Sequence, residues 1–441
     1  MISLALGNGL TWLSLAGSGV PTGLIGAVYD PKTGDGRTVG ERITLGLRGT
    51  PAQVNELLVC LEEKIALVNR HTREGVGTPL YLRVNCDPEV TYYYTHILQA
   101  SLEPKANSLA YTSGGSLGVD LVFTRVDHFE GGQVAMPLSN RNGVGVTGGL
   151  TVNNHADSGH DNFVFVDADD LQTELPAPLR LEVTTATAGG TVRDLWVGAF
   201  QYDRLSVPPQ LAYEGESATG GTDVSDAACS GGAFKQVNWS DEGWASLLSW
   251  TLSATNLSRC QGRAVLPILR LANAHAYEDL QLKLVLKAGG IILYEGAPTW
   301  ADLQLGYVVF PALRLPPAPL SGVLSAQAQV LHLYANKPNS DSYTLDLDDL
   351  QLLPQDAFSH YQGLVNLAQG DSLVDDAFSG LVYGIQGGYE LSTHIPIRKG
   401  LHILTENNAR MVFFWANVDG EALPGDAISV RAYYRRRKRV L

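Results

Sequence analysis

Hydrophobic positions along this chain alternate with polar ones far more often than they recur at helical spacing. One stretch is the exception. Thr50 suits an N-cap, Pro51 suits the first helical position and Gln53 completes a capping box. Val54, Leu57, Leu58, Leu61, Ile65 and Val68 follow at helical spacing, which predicts a helix over residues 50–70 that ends near 69–73, before Gly75. Ile43, Leu45 and Leu47 share one face of a strand at 42–47. Segments 79–84, 91–102 and 118–126 also read as strands, the second carrying the β-prone cluster Tyr92, Tyr93 and Tyr94. Residues 1–137 are therefore predicted to form a β-sheet domain with one packed helix. The Gly- and Asn-rich stretch 137–149 reads as a joint.

Strand patterns resume at 163–166, 179–184 and 194–202 and break at Pro208 and Pro209. From Tyr213 to Pro354, turn signals recur every ~8–12 residues, the spacing of a β-sandwich. Strands are predicted there at 264–271, 280–286, 291–294, 307–310, 326–334 and 344–352, with a plain loop at 336–341. Further strands are predicted at 381–383, 390–395, 402–404, 410–415 and 428–435, and they complete the sandwich begun near residue 150. The fold class is thus mainly β: several β-sandwiches, one α-helix in the N-terminal domain and an inserted sandwich.

Composition agrees with this. Apolar residues make up 45% of the 441 and charged residues only 17%, enough for several cores and incompatible with global disorder. The formal net charge of −14 argues against nucleic acid or an anionic membrane as the main partner. The one basic run, Arg435, Arg436, Arg437, Lys438 and Arg439, reads as a solvated or interface-facing strand that could pair with an acidic neighbouring subunit. Cys60, Cys86, Cys229 and Cys260 form no C-x-x-C pair, so no zinc ribbon is present. Cys60 falls on the apolar helix face and reads as core, while Cys229 and Cys260 could bridge within one domain. No apolar run approaches the length of a membrane span. Residues 1–24 are apolar but lack a basic leader region and break at Pro21, which suits a strand or arm packed on something, such as a neighbouring subunit, rather than a signal peptide.

Motifs for catalysis are missing. Gly143, Gly145 and Gly148 formally match G-x-G-x-x-G, but no strand-to-helix unit surrounds them. His155, Asp157, His160 and Asp161 cluster in a polar loop and fit an ordinary turn better than a metal site. No H-E-x-x-H or Walker A is present, and no catalytic residue is assigned. The chain is not expected to be an enzyme.

The 213–354 block carries more specific residues. It opens Tyr213-Glu214-Gly215-Glu216-Ser217, continues through Ser230-Gly231-Gly232 and closes Leu345-Asp346-Leu347-Asp348-Asp349-Leu350. In this it resembles the jelly-roll carbohydrate-binding modules of glycoside hydrolases, in which the first and last strands lie side by side around a structural calcium. The resemblance implies Ca²⁺ ligands at Glu214, Glu216 and Asp349; alternatively, these carboxylates are merely exposed on edge strands. Sugar binding needs flat, exposed aromatic faces. Trp239, Trp244, Trp250, Tyr294 and Trp300 are the candidates. Trp239, Trp244 and Trp300 are assigned to glycan binding, with Trp239 and Trp244, which flank polar residues 240–243, expected to be the most exposed.

Residues 42–49 (Arg-Ile-Thr-Leu-Gly-Leu-Arg-Gly), the helix, 79–84 (Pro-Leu-Tyr-Leu-Arg-Val), 91–95 and 123–130 follow the order of the N-terminal belt domain of phage distal tail proteins, which this region resembles. Residues 400–408 and 430–434 are similar to that family's closing strands. The resemblance implies a belt-like domain at 1–137, a discontinuous galectin-like sandwich at 138–205 and 356–441, and an inserted carbohydrate-binding-type jelly roll at 206–355. It further implies a virion tail tip or baseplate component that forms a hexameric ring, contacts tail-tube and tail-hub proteins and carries an adhesin-like module for host-surface polysaccharide. A tail-tube or other minor tail protein, or a secreted polysaccharide-binding protein, are the alternative expectations.

Overall fold

Antiparallel strands dominate the computed structural model, which is mainly β with sandwich-like domains and a single α-helix among the described residues. The described residues are 3–33, 37–76, 78–85, 92–104, 116–154, 162–166, 173–186, 190–203, 211–253, 262–275, 277, 279–301, 306–316, 327–391, 395–396, 402–403, 408–418, 427–439 and 441. The predicted polar loop of His155, Asp157, His160 and Asp161, together with Cys86 and Cys260, lies outside them. The chain forms two compact units. The first is Met1–Val134, Leu171–Ala177 and Arg435–Leu441; the second is Ala135–Asp170 and Pro178–Tyr434.

In the first unit, Ser3–Gly7 pairs with both Trp12–Ala16 and Leu80–Asn85. Leu80–Asn85 pairs with Tyr92–Pro104, which pairs in turn with Ser116–Val126. Thr38–Arg48 joins Ser116–Val126 to Leu24–Tyr29. The helix spans Pro51–Glu74, with both halves of the Thr50–Gln53 capping box made and Gly75 closing it at φ 67°. Its buried stripe is Val54, Leu57, Leu61, Ile65 and Val68. Cys60 sits beside that stripe and is only half-buried, not the core residue that its apolar neighbours suggested. The apolar N-terminal stretch forms the strands Ser3–Gly7 and Trp12–Ala16. Its Leu4, Leu6 and Leu15 pack into the core of their own unit.

One buried ion pair sits among these strands. Glu41 and Arg125 have fully buried side chains. Arg125 donates to Glu41 from Nε (2.8 Å) and Nη2 (2.7 Å), while the Tyr29 hydroxyl (2.5 Å) and the Lys32 amide (2.7 Å) donate to the same carboxylate. Nη1 and Nη2 also donate to the carbonyls of Val126 and Lys32. With four hydrogen bonds to the carboxylate and four from the guanidinium, the desolvation cost is offset. The basic run at the C-terminus finds an acidic partner within the chain. Arg437 donates to Glu130 from Nε (2.8 Å) and Nη2 (2.5 Å), and Arg435 lies 3.6 Å from the same carboxylate. The Arg437 backbone bonds to Thr173 and Glu174.

The second unit contains the six-stranded sheet Gly143–Val146, Leu138–Asn140, Phe163–Val166, Asn408–Val418, Thr191–Asp203 and Asp356–Ala368, in that order. The stretch read as a joint is therefore a hairpin at the sheet edge, with Gly145 at φ 68° in the hairpin. Ala177–Thr185 lies between Ser372–Asp376 and Ala427–Lys438, which also pairs with Leu150–Asn153. Chain segments on either side of the 213–354 block thus interleave in common sheets.

That block forms a jelly-roll sandwich. One sheet has Tyr343–Pro354 at its centre, between Ala233–Trp239 and Ala264–Leu271, with Ala212–Glu214 also paired to it. The other sheet runs Gly243–Leu252, Gln329–Lys337, Gln281–Ala288 and Ile291–Glu295, with Thr299–Trp300 paired to Gln281–Ala288. Leu284, Leu286, Leu331, Leu333, Leu345 and Leu347 fill the space between. Residues 336 and 337, read as loop, prolong the strand Gln329–Lys337, where Lys337 is buried and donates to the Asp341 carbonyl. Tyr343–Pro354 is buried on both faces. Its outer side meets Thr191–Asp203, where a Cβ on Gly198 would stand 1.9 Å from the Pro354 carbonyl oxygen, so only glycine fits. Gln351 there accepts from Asn162 (3.0 Å) and donates to the Asn154 carbonyl (2.7 Å).

Two outcomes are expected for the first unit. Arg125→Met leaves Glu41 buried without its counter-ion and should destabilise the unit by about 3–5 kcal/mol in urea unfolding followed by a probe within it. Burial pushes the Glu130 carboxyl up, but hydrogen bonds from His128 and Arg437 and the guanidinium charge outweigh it and hold it at about 2. A depressed carboxyl contributes stability that is complete above its unfolded value near 4.5 and is lost as pH falls toward 2. Stability should therefore fall by on the order of 3 kcal/mol between pH 5 and 2, and Glu130→Gln should flatten that fall.

Candidate functional site

The acidic residues singled out from the sequence come together in part. The first and last strands of the jelly roll are side by side, with Glu214 opposite Asp349 in the register. A bulge between Arg270 and Leu271 on the facing strand gives Tyr343–Pro354 one extra residue there. Asp348 and Asp349 consequently both meet Arg270. Asp348 lies 3.2 Å from the guanidinium, Asp349 forms an ion pair with it, and all three side chains are at most 2% exposed. The Ser230 amide donates to Asp348 (3.0 Å) and its hydroxyl to Glu214 (2.9 Å). Gly231, at φ 66°, lets Glu216 close in, since a Cβ there would lie 2.3 Å from its Oε1.

These carboxyls are all pushed toward their protonated forms. Glu214 is raised to about 8, first by burial and then by the charge of Asp349. Burial raises Asp348 and Asp349 as well, against the pull of Arg270, and raises Glu216. Burial also pushes the Cys229 thiol up to about 12. Glu214 and Glu216 each keep one buried oxygen without a hydrogen-bond partner, and oxygen donors of this kind suit Ca²⁺. Asp349, the third expected ligand, lies opposite Glu214 and forms its ion pair with Arg270. Among the described residues no group of three or more acidic, His or Cys side chains is arranged to hold a metal ion. Arg270 is the residue that the sequence reading missed. Its signal was a lone cation inside the apolar run Ala264–Leu271, matched by two adjacent aspartates inside an equally apolar strand.

The aromatic candidates divide. Trp239 is 8% exposed and packs edge-on against Tyr343, so the expected exposure of its ring is not found. Trp250 is fully buried and donates from Nε1 to the Glu214 carbonyl (3.1 Å). Trp244 and Trp300 reach the surface, at 40% and 66% exposed. They stand on the outer face of the same sheet and in one row. Trp300 pairs with Gln281, Gln281 with Asn336, and Asn336 with Trp244, so these four side chains share a face. Asn336 donates to Gln281 (3.1 Å). Lys283 places its ammonium 4.2 Å from the Trp244 ring centroid and bonds Glu295 (2.6 Å). Tyr334 lies next to Lys283 and accepts from Lys287 (2.5 Å). Ring faces flanking an amide pair can stack on sugar C–H faces and bond hydroxyls between them.

No protein-family model matches the chain, and no curated protein matches it. Among solved structures it is similar to a family 35 carbohydrate-binding module from Clostridium thermocellum, at 15% identity over 32% of this chain and 97% of that chain, with a TM-score of 0.20. It is also similar to the structure of the infectious bursal disease virus Gx strain, at 9% identity over 70% of this chain and 79% of that one, TM-score 0.18. The VP2 subviral particle of the same virus gives 10% identity over 70% and 80%, TM-score 0.18.

Arg270→Met should lower the stability of the second unit by about 3–5 kcal/mol, since it strands two buried aspartates. Adding Asp349→Asn should restore part of that loss, with a coupling of about 1 kcal/mol or more in a double-mutant cycle read by chemical denaturation. Strict additivity would show that Arg270 does not neutralise Asp349.

Proposed function

We propose that this chain is a structural component of a phage tail tip or baseplate, a ring subunit of the distal-tail type, whose jelly roll grips glycans on the host surface. The observation that carries the adhesive part is the row Trp300–Gln281–Asn336–Trp244, with two large rings held at the surface of a rigid sheet. Large aromatics are ordinarily buried, and two on one exposed sheet face mark a contact surface. The tail part draws on the order of strand, capped helix and strands in residues 42–130, which is the order by which this region resembles the belt domain. Self-assembly is supported by Leu24–Tyr29, which has one hydrogen-bonded neighbour among the described strands and exposes Ile25 (64%) and Val28 (71%). A ring would repeat a weak sugar site around an axis and convert low affinity into avidity. Within this proposal a calcium ion would have Glu214 and Glu216 as its side-chain ligands and would neutralise the charge that Arg270 leaves uncompensated. No catalytic step is assigned.

Two measurements on the full chain test this reading. Negative-stain electron microscopy should show closed rings, and a glycan array should show retention that the double substitution Trp244→Ala, Trp300→Ala lowers by at least a hundredfold while rings persist. Absence of rings in both purified protein and virions would sink the tail assignment. Retention unaffected by the double substitution would sink the sugar site.

A further inference from the structure

The outer face of the jelly roll presents its two exposed tryptophans at opposite ends of one row of side chains. Resting on the proposal of a glycan-binding jelly roll, we infer that the face takes an internal stretch of an uncharged, linear polysaccharide laid across the strands, from Trp300 over Gln281 and Asn336 to Trp244.

The direction follows from the register. The four residues sit on four successive hydrogen-bonded strands, Thr299–Trp300, Gln281–Ala288, Gln329–Lys337 and Gly243–Leu252. Neighbouring strands are ~4.8 Å apart, so the two tryptophans are separated by three spacings, about 14 Å. A single sugar ring cannot touch both, whereas a chain of several rings lying along the row meets an aromatic face at each end and amides between them. The amide pair has capacity to spare. The Gln281–Asn336 bond uses one acceptor and one donor, and each side-chain amide offers more than that for hydroxyls. Both ends of the row are aromatic, and Trp300, at 66% exposed, does not sit in a pocket that would demand a chain terminus.

The preference for an uncharged ligand follows from charge complementarity. The face holds two ammonium groups, and both are engaged within it. Lys283 bonds Glu295 and lies against the Trp244 ring, while Lys287 bonds the Tyr334 hydroxyl. His332, also on this face, is held below the ordinary imidazole value by burial and by Lys287, so it adds no charge at neutral pH. Asp241 and Glu242 are exposed in the turn that leads into Trp244. Among the described residues of this face, both lysines are thus already engaged, and the chain as a whole carries −14, which repels an acidic polymer at the low ionic strength where attraction would otherwise be strongest.

Lys283 has a second part in this arrangement. Its ammonium covers one face of the Trp244 ring, fixed there by Glu295, and this leaves the opposite face for the ligand. It is a positioning residue for Trp244.

The test uses the full-length protein in native affinity electrophoresis and calorimetry. The probes are neutral linear polysaccharides (a β-glucan, a mannan and a xylan), acidic ones (polygalacturonate and alginate), and oligosaccharides of one to six units from the best-retained neutral polymer. The expected result is retention by at least one neutral polymer, unchanged by added salt, with the hexasaccharide bound at least tenfold more tightly than the disaccharide. Trp244→Ala and Trp300→Ala should each weaken hexasaccharide binding at least tenfold and leave disaccharide binding within threefold, with the melting temperature unchanged. Lys283→Met should weaken hexasaccharide binding and alter tryptophan fluorescence, as expected if it orients the Trp244 ring. Equal affinity for disaccharide and hexasaccharide, or salt-sensitive binding confined to the acidic polymers through Trp244 and Trp300, would overturn this inference while leaving the adhesive reading intact. No retention of any polymer would overturn both.

Discussion

The second unit depends on how one strand, Tyr343–Pro354, buries negative charge. It lies at the centre of its sheet, is covered on both faces and carries Asp346, Asp348 and Asp349 among leucines. Such a strand can be buried only if each carboxylate finds a compensating group. Asp346 receives hydrogen bonds from Gln236 and Asn273. Asp348 and Asp349 receive the guanidinium of Arg270, brought opposite them by a bulge. Arg270 serves Asp348 and Asp349 together, and burial still shifts both of them, with Glu214 and Glu216 beside them, toward the protonated form. Whatever fills the remaining deficit, proton or cation, is bound up with the folding of the jelly roll.

That central strand also ties the jelly roll to the rest of its unit. Its outer side packs against Thr191–Asp203 through the contact that Gly198 permits, and Gln351 bonds both Asn154 and Asn162. The buried Trp196 belongs to the same apolar cluster as the jelly-roll leucines. The seven-stranded sheet is thereby covered on both sides, and the five-stranded sheet keeps an outer face lined with Trp244, Trp300, Lys283 and Tyr334. A site on such a face inherits the rigidity of the sheet, and this limits the entropy lost when a ligand orders it.

The first unit solves the same problem in another way. Its buried ion pair is Glu41 and Arg125, with Tyr29 and backbone groups bonded around it. Its C-terminal arginines serve it in turn. Glu130 draws Arg435 and Arg437 into the unit, so a run that resembles a surface patch in one dimension is anchored by a half-buried carboxylate in three.

The sequence by itself determined what depends on neighbours within a few residues. The capping box at Thr50 and Gln53, the apolar stripe from Val54 to Val68 and the left-handed Gly75 define the helix, and alternation defines most strands, because cap, period and turn chemistry are local. The mainly β class followed from this. Tertiary structure decided the rest. Trp239 and Trp244 sit five residues apart beside the same polar stretch, yet one is buried and one exposed, because exposure depends on which face of which sheet a strand presents. Arg270 could be matched with Asp348 and Asp349 only once the register and its bulge were formed across a long separation in sequence. The glycine-rich stretch at 137–149 reads locally as a joint and becomes a sheet edge only because Phe163–Val166 lies beside it. The row from Trp300 to Trp244 joins four strands distant along the chain, and no local pattern encodes it, because register is set by the burial of the opposite face.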